Sequence, residues 1–157
     1  MTRFEKFILI ILRNEGGYTF NPNDSGGETK YGISKRSYPN LDIKNLTIEQ
    51  ASEIYKSEYY DKCMCDDIVN ELLALQLFDW SVTSGVSKAV KVLQKIVVTN
   101  QDGEMGNHTI TETNKKDYSS QYIIARQNFY KAIGVGKNSV FLKGWLNRIS
   151  NTTKALK

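Results

Sequence analysis

Two prolines, two cysteines and a single histidine are all that the 157-residue chain contains of those types. With so little proline and no low-complexity run, nothing reads as a linker between separate domains. Cys63 and Cys65 stand one residue apart, a spacing that strains a mutual disulfide, and the chain holds no other cysteine to pair with either. A reducing place of synthesis is expected. The two thiols and His108 supply no recognisable zinc-ligand spacing, so no metal and no cofactor are implied. His108 reads as a surface or cap residue rather than as the acid/base group that histidine commonly provides.

Long hydrophobic runs are also missing. "FILIIL", Phe7 to Leu12, is too short to span a bilayer, Glu5 interrupts its approach and no small-residue cleavage site follows. Neither an export signal nor stable membrane insertion is expected. Charge of one sign is in modest excess: the net charge is +4 and the pI about 9.0, which favours anionic partners. The basic residues are scattered, with no run longer than Lys115-Lys116, so the stripe expected of a nucleic-acid binder is lacking.

What is present is a globular composition, 40% hydrophobic and 24% charged, in a chain of one ordinary domain's length. Phe4, Phe7, Ile8, Ile11 and Leu12 recur at three- and four-residue steps and predict an amphipathic helix from about Thr2 to Asn14, with Thr2 as a cap. Position 15 continues the inward stripe, and Gly16-Gly17 stop the helix. From Tyr18 to Ser34 the period changes to short β-like pieces around "NPNDSGGET", a small hairpin lobe. Thr47 and Gln50 make a capping-box pattern before a helix carrying Ala51, Ile54, Tyr55 and Tyr59.

Four further helices are predicted beyond it, together with a short one capped by Asn107. Their marks are Ile68, Leu72, Leu75, Asp79 and Val82; Val90, Leu93, Ile96 and Val97 after Ser87 as cap; Ile123, Ile124, Phe129, Tyr130 and Ile133; and Phe141, Leu142, Trp145, Leu146 and Ile149. The chain is therefore mainly α with one small β element, and no internal repeat is seen.

Glu15 and Asp24 are the sharpest candidates for chemistry. Glu15 is turned inward at the negative pole of a helix, an unfavourable place for a carboxylate without a functional reason. Asp24 sits in a polar, solvated turn that an Asx-turn role would equally explain. Two carboxylates in such different surroundings are the minimum equipment of a glycosidase: one protonates the leaving oxygen, and the other assists water or stabilises the oxocarbenium ion. Asp79 lies on an apolar stripe and needs a partner, which is either loop backbone or a place in a binding cleft. Trp80 and Trp145 read as core or as sugar-stacking platforms, and Tyr31 in its glycine-rich loop as a better cleft residue.

Glu15, eight residues, Asp24, then Thr29 and the Tyr31-Gly32 step nearly reproduce the phage-type lysozyme pattern, except that four residues rather than five precede Thr29. "EGGY" from Glu15 and "DSGGETKYGIS" from Asp24 more closely resemble the signature of the N-acetylmuramidases called secretion activator proteins, glycoside hydrolase family 108. That signature reads Glu-Gly-Gly, then Asp-x-Gly-Gly-x-Thr-x-Tyr-Gly-Ile. "LFDWSVTSG", "DGEMGNHT" and "FLKGWLNRI" are similar to the C-terminal part of the same proteins, with Thr83 where an asparagine is expected.

The resemblance implies a lysozyme-like helical domain over 1–157, with a small β-hairpin lobe beside the cleft. It assigns residues 1 to about 85 to catalysis and about 86–157 to a helical, peptidoglycan-binding region. It also implies hydrolysis of the β-1,4 bond between N-acetylmuramic acid and N-acetylglucosamine, with Glu15, Asp24 and Thr29 catalytic and Tyr31 and Asp79 at the substrate. A loop doubling back to a helix end favours a long carboxylate separation, and so inversion. The missing signal fits an endolysin made as a monomer in the cytoplasm and released by a holin to the periplasmic wall. A non-catalytic, wall-binding or secretion-assisting module with the same fold is the alternative.

Overall fold

The computed structural model describes residues 1–23 and 27–157, so Asp24 lies outside the described residues. The chain forms two compact units, Met1–Ser57 and Glu58–Lys157.

In the first unit, α1 (Arg3–Glu15) starts with a full capping box. Thr2 Oγ1 accepts from the Glu5 amide at 3.1 Å while the Glu5 carboxylate accepts from the Thr2 amide at 2.7 Å, satisfying two otherwise orphaned donors. The helix buries Phe7, Ile8 and Ile11, as its stripe predicts. It ends at Gly16, whose φ of 78° admits no ordinary side chain without strain. Three short antiparallel strands follow: β1 (Thr19–Phe20), β2 (Glu28–Lys30) and β3 (Ile33–Ser34), with Thr29 opposite both Thr19 and Ser34. The Thr47/Gln50 capping box opens α2 (Ile48–Tyr55).

A single π turn, Lys56–Tyr60, continues that helix. Its extra residue moves the inward stripe along by one, so Tyr60 rather than the expected Tyr59 is buried.

The second unit is helical among its described elements. In it, α3 (Glu71–Ser84), capped by the Asn70 side chain on the Leu73 amide, is buried without interruption from Leu73 to Ser81. A helix with no wet face belongs at the centre of its unit. The stripe expected on Leu72 and Val82 is therefore too narrow, and Ile68 precedes the helix. Around it lie α4 (Val86–Val97), α5 (Asn107–Thr113), α6 (Ser119–Ile133) and α7 (Ser139–Lys154). Gly85 and Gly106 occupy the cap positions expected for Ser87 and Asn107, which fall inside their helices. Buried Gln94 of α4 fixes the loop before α5: its amide donates to Asp102 at 2.8 Å and to the Glu104 carbonyl at 3.0 Å, and accepts from the Gly103 amide at 2.9 Å. Cys63 and Cys65 are free thiols, both buried.

On α6 the interior face is Ser119, Tyr122, Arg126 and Tyr130, while Ile124 and Ile133 are exposed. The apolar stripe misidentified this face because a charged residue occupies its centre. Arg126 is fully buried and donates to Asp79 at 2.7 Å and to Gln76 at 2.9 Å. Arg148 of α7 adds two nitrogens to Asp79, the closer at 2.8 Å, and Thr152 a hydroxyl at 3.3 Å. Asp79 thus has no exposed surface, and among the described residues it is met by side chains rather than loop backbone; it joins α3 to α6 and α7 in an ion cluster, whereas a place at the substrate would need an exposed carboxylate. Burial drives its carboxyl upward, but the two guanidiniums outweigh that and hold it below the usual carboxylate range.

A depressed carboxylate contributes stability above its unfolded value and loses it as the pH falls through the folded one. Asp79→Asn should cost about 3–5 kcal/mol at neutral pH, since it leaves buried guanidinium charge uncompensated. The gap to the parent should narrow as the pH falls below about 4, where the unfolded parent's carboxylate takes up a proton, and should go on narrowing until the folded carboxylate is protonated as well. Urea unfolding at several pH values measures both.

Candidate active site

Glu15 is the last residue of α1 and is half-buried. The chain reverses behind it at Gly16, whose amide bonds to the Leu12 carbonyl at 3.2 Å, so the direction of the Glu15 side chain is set by a well-formed helix end. Facing it is the turn between β2 and β3. Lys30 and Ile33 are partners in the ladder, which leaves Tyr31 and Gly32 as a two-residue hairpin loop. Both have positive φ, 52° and 80°, the signature of the primed turns that suit the twist of paired strands.

For Gly32 there is a second requirement, namely space. A methyl group there would lie 2.8 Å from Glu15 Oε2 and collide with the Tyr55 hydroxyl. The carboxylate of Glu15 and the phenol of Tyr55 therefore converge on the bare backbone of this turn. Tyr55, buried on α2, donates its hydroxyl to the Tyr31 carbonyl at 2.6 Å and so holds the turn in place. The sequence reading placed Tyr55 only on a packing stripe. The available signal was its chemistry, because a buried tyrosine hydroxyl ordinarily finds a polar partner.

The Tyr31 ring is partly exposed, with the Lys30 ammonium 5.4 Å from its centroid and that ammonium bonded to the Lys44 carbonyl at 3.0 Å. Tyr18 donates to Glu28 at 3.1 Å, tying the segment after α1 to β2. Thr29 sits half-buried at the centre of the sheet. The first unit thus brings Glu15 together with the Tyr31-Gly32 turn and places Thr29 on the strand leading into that turn. A carboxylate fixed in this way beside a partly exposed turn is placed to exchange a proton with a bound ligand.

The second unit holds the other candidates. Trp80 is fully buried, edge-on to Tyr122 at 5.6 Å between centroids, which makes it core. Trp145 is half-buried and stacked on Tyr130 at 5.1 Å, and the two help line a pocket of about 330 Å³ with Thr83 and Arg148. The Thr83 and Tyr130 hydroxyls are 3.2 Å apart there. His108 is exposed on α5. Among the described residues no group of three or more histidine, cysteine, aspartate or glutamate side chains could hold a metal ion.

Residues 8–85 match the family model described as Glycosyl hydrolase 108. The solved structure of SagA from Brucella abortus is similar over 98% of this chain and 93% of SagA, at 32% identity and a TM-score of 0.80. No curated protein sequence matches the chain.

Gly32→Ala should destabilise the protein by about 1–3 kcal/mol, from left-handed backbone strain together with the crowding of Glu15 and Tyr55. Gly27→Ala is the comparison, because that glycine also has positive φ but, among the described residues, nothing within 4 Å of an added methyl. In urea unfolding the Gly32 variant should lose clearly more than the Gly27 variant; equal losses would show that the space beside Glu15 is not constraining.

Proposed function

Because the chain belongs to the glycosyl hydrolase 108 family, we propose that it cleaves the β-1,4 bond between N-acetylmuramic acid and N-acetylglucosamine in peptidoglycan, with Glu15 as general acid. The observation that carries this reading is the convergence of the Glu15 carboxylate on the Tyr31-Gly32 turn at its glycine. A general acid must reach the glycosidic oxygen within hydrogen-bonding distance, which requires a fixed carboxylate and a neighbouring wall that a polymer can approach closely. The helix end supplies the first, and the partly exposed Tyr31-Gly32 turn beside it is offered as the second.

In this scheme Glu15 delivers its proton to the leaving oxygen as the glycosidic bond breaks. Asp24 and Thr29 position the attacking water on the opposite face of the sugar, and Tyr31 offers its ring to the glycan. Catalysis is assigned to residues 1 to about 85, which contain the family match. Wall binding is assigned to about 86–157, where Trp145 stacks on Tyr130 beside the Arg148 guanidinium in a pocket that Thr83 of α3 also lines. The setting proposed is lysis: synthesis in the cytoplasm, release by a holin and action on the periplasmic wall as a monomer. No described helix is long and apolar enough to cross a membrane.

Glu15→Gln should keep the parent's circular dichroism spectrum and its binding to purified sacculi but lose lytic rate by at least about a hundredfold, the lower end of what a positioned general acid contributes. Unimpaired lysis by that variant would sink the assignment, and a parent that binds sacculi without ever lysing them would favour the non-catalytic module.

Inversion at the anomeric carbon makes a further outcome measurable. Asp24→Asn should be severely impaired, and the first product of the parent should be the α anomer by NMR, as expected when water enters between well-separated groups. A β product, or a sugar covalently trapped on Asp24, would replace this scheme with a retaining one.

A further inference from the structure

After Asp117 the chain contains neither aspartate nor glutamate. Of the basic residues in that acid-free stretch, Arg126 and Arg148 are bound to Asp79, which leaves five lysines, three of them around the turn joining α6 to α7. Lys131, Lys137 and Lys143 are all exposed. Between and beside them Ile133, Val135, Val140 and Phe141 are exposed too, at 38%, 63%, 76% and 55% of their surface.

This turn has a fixed base. Gly134 is buried at its start, where an added methyl would meet the Tyr130 carbonyl at 2.8 Å and Leu142 at 2.9 Å. A 3-10 turn, Gly136–Asn138, follows, and the Phe141 ring lies 5.8 Å from that of Trp145.

Exposed single apolar side chains are ordinary, but four within nine residues, interspersed with three exposed lysines in a stretch of sequence without aspartate or glutamate, form a patch whose exposure calls for a partner. Two properties of the patch select the partner. The lysines require an anionic surface. Valine and isoleucine form no hydrogen bonds to a polysaccharide and gain most where hydrocarbon replaces water, while lysine stems lie along apolar surface and keep their ammonium groups at headgroup level.

We propose that the α6–α7 turn is a peripheral docking surface for an anionic lipid bilayer, with Val135, Val140 and Phe141 at the acyl boundary and Lys131, Lys137 and Lys143 on the headgroup phosphates. This places part of the second unit on the membrane surface, without crossing it and independently of any hydrolysis.

Co-sedimentation of the full chain with sucrose-loaded vesicles tests it. The parent should partition to an equimolar mixture of phosphatidylcholine and phosphatidylglycerol and hardly at all to phosphatidylcholine alone, and salt should weaken the binding. Replacing Lys131, Lys137 and Lys143 together by Gln should lower the partition coefficient about a hundredfold. Val140→Ser with Phe141→Ser should lower it at least about tenfold, with an unchanged circular dichroism spectrum. Replacing Lys91, Lys95 and Lys116 by Gln removes the same charge elsewhere and should leave most of the binding intact. A parent that ignores the mixed vesicles, or a loss equal for both lysine triples, overturns the proposal. So does a turn variant that fails on lipid-free sacculi while vesicle binding is unaffected, which would make the turn a wall-binding surface.

Discussion

An ionised carboxylate with no contact with water organises the second unit. Asp79 sits at the middle of α3, the helix buried on every side, and a charge in that position is tolerable only when matched and hydrogen-bonded. Arg126 and Arg148 meet it from two other helices, Thr152 adds a hydroxyl, and Gln76 binds both Arg126 and Thr153. Hydrophobic burial drives the helices together but is indifferent to small rotations about their axes. The directional bonds on Asp79 are not, since a turn of α6 by one residue would withdraw the Arg126 guanidinium. The cluster thereby sets which faces of α6 and α7 point inward and, as a consequence, which apolar residues are left outside.

The first unit uses crowding where the second uses charge. The Glu15 carboxylate is held by a helix end on one side and by a two-residue turn on the other, and the turn tolerates only hydrogen at Gly32 Cα. Backbone strain at Tyr31, with φ at 52°, is offset by the short bond from the Tyr55 hydroxyl to its carbonyl. Strained backbone beside a carboxylate, supported by a buried phenol on another element, is the arrangement expected where geometry serves chemistry rather than stability alone.

Features governed by neighbours in sequence were legible before the structure. Both capping boxes, the stop at Gly16 and the mainly helical class rest on contacts across three or four residues, and the small β element on pairings across ten or fewer, where chemistry and position are read together. Glu15 was legible for the same reason, being the next inward position of a clear stripe that ends in two glycines. Features governed by distant partners were not. Nothing local reveals that Asp79 is matched by residues 47 and 69 positions away, or that a buried arginine occupies the centre of α6's inner face. Ser87 and Asn107 are good capping residues in the abstract, yet the helices begin after Gly85 and Gly106. The role of Tyr55 depends on a hairpin carbonyl 24 residues earlier, and the π turn that moves the buried tyrosine to position 60 has no simple sequence mark.

The distance along the chain between Asp79 and its partners also has a consequence for biosynthesis. At about 5–20 residues per second, the 69 residues from Asp79 to Arg148 take roughly 3–14 s to polymerise. Until Arg126 is made, 47 residues after Asp79, the carboxylate of α3 lacks both guanidiniums, and until α7 follows it lacks the second, so the helix cannot yet reach its final buried position. The first unit is compact within Met1–Ser57 and does not wait for the Asp79 partners. The nascent chain thus carries an assembled N-terminal unit ahead of an unsettled helix, and the interval before α7 arrives is the period in which a holdase or an aggregation partner would compete for α3.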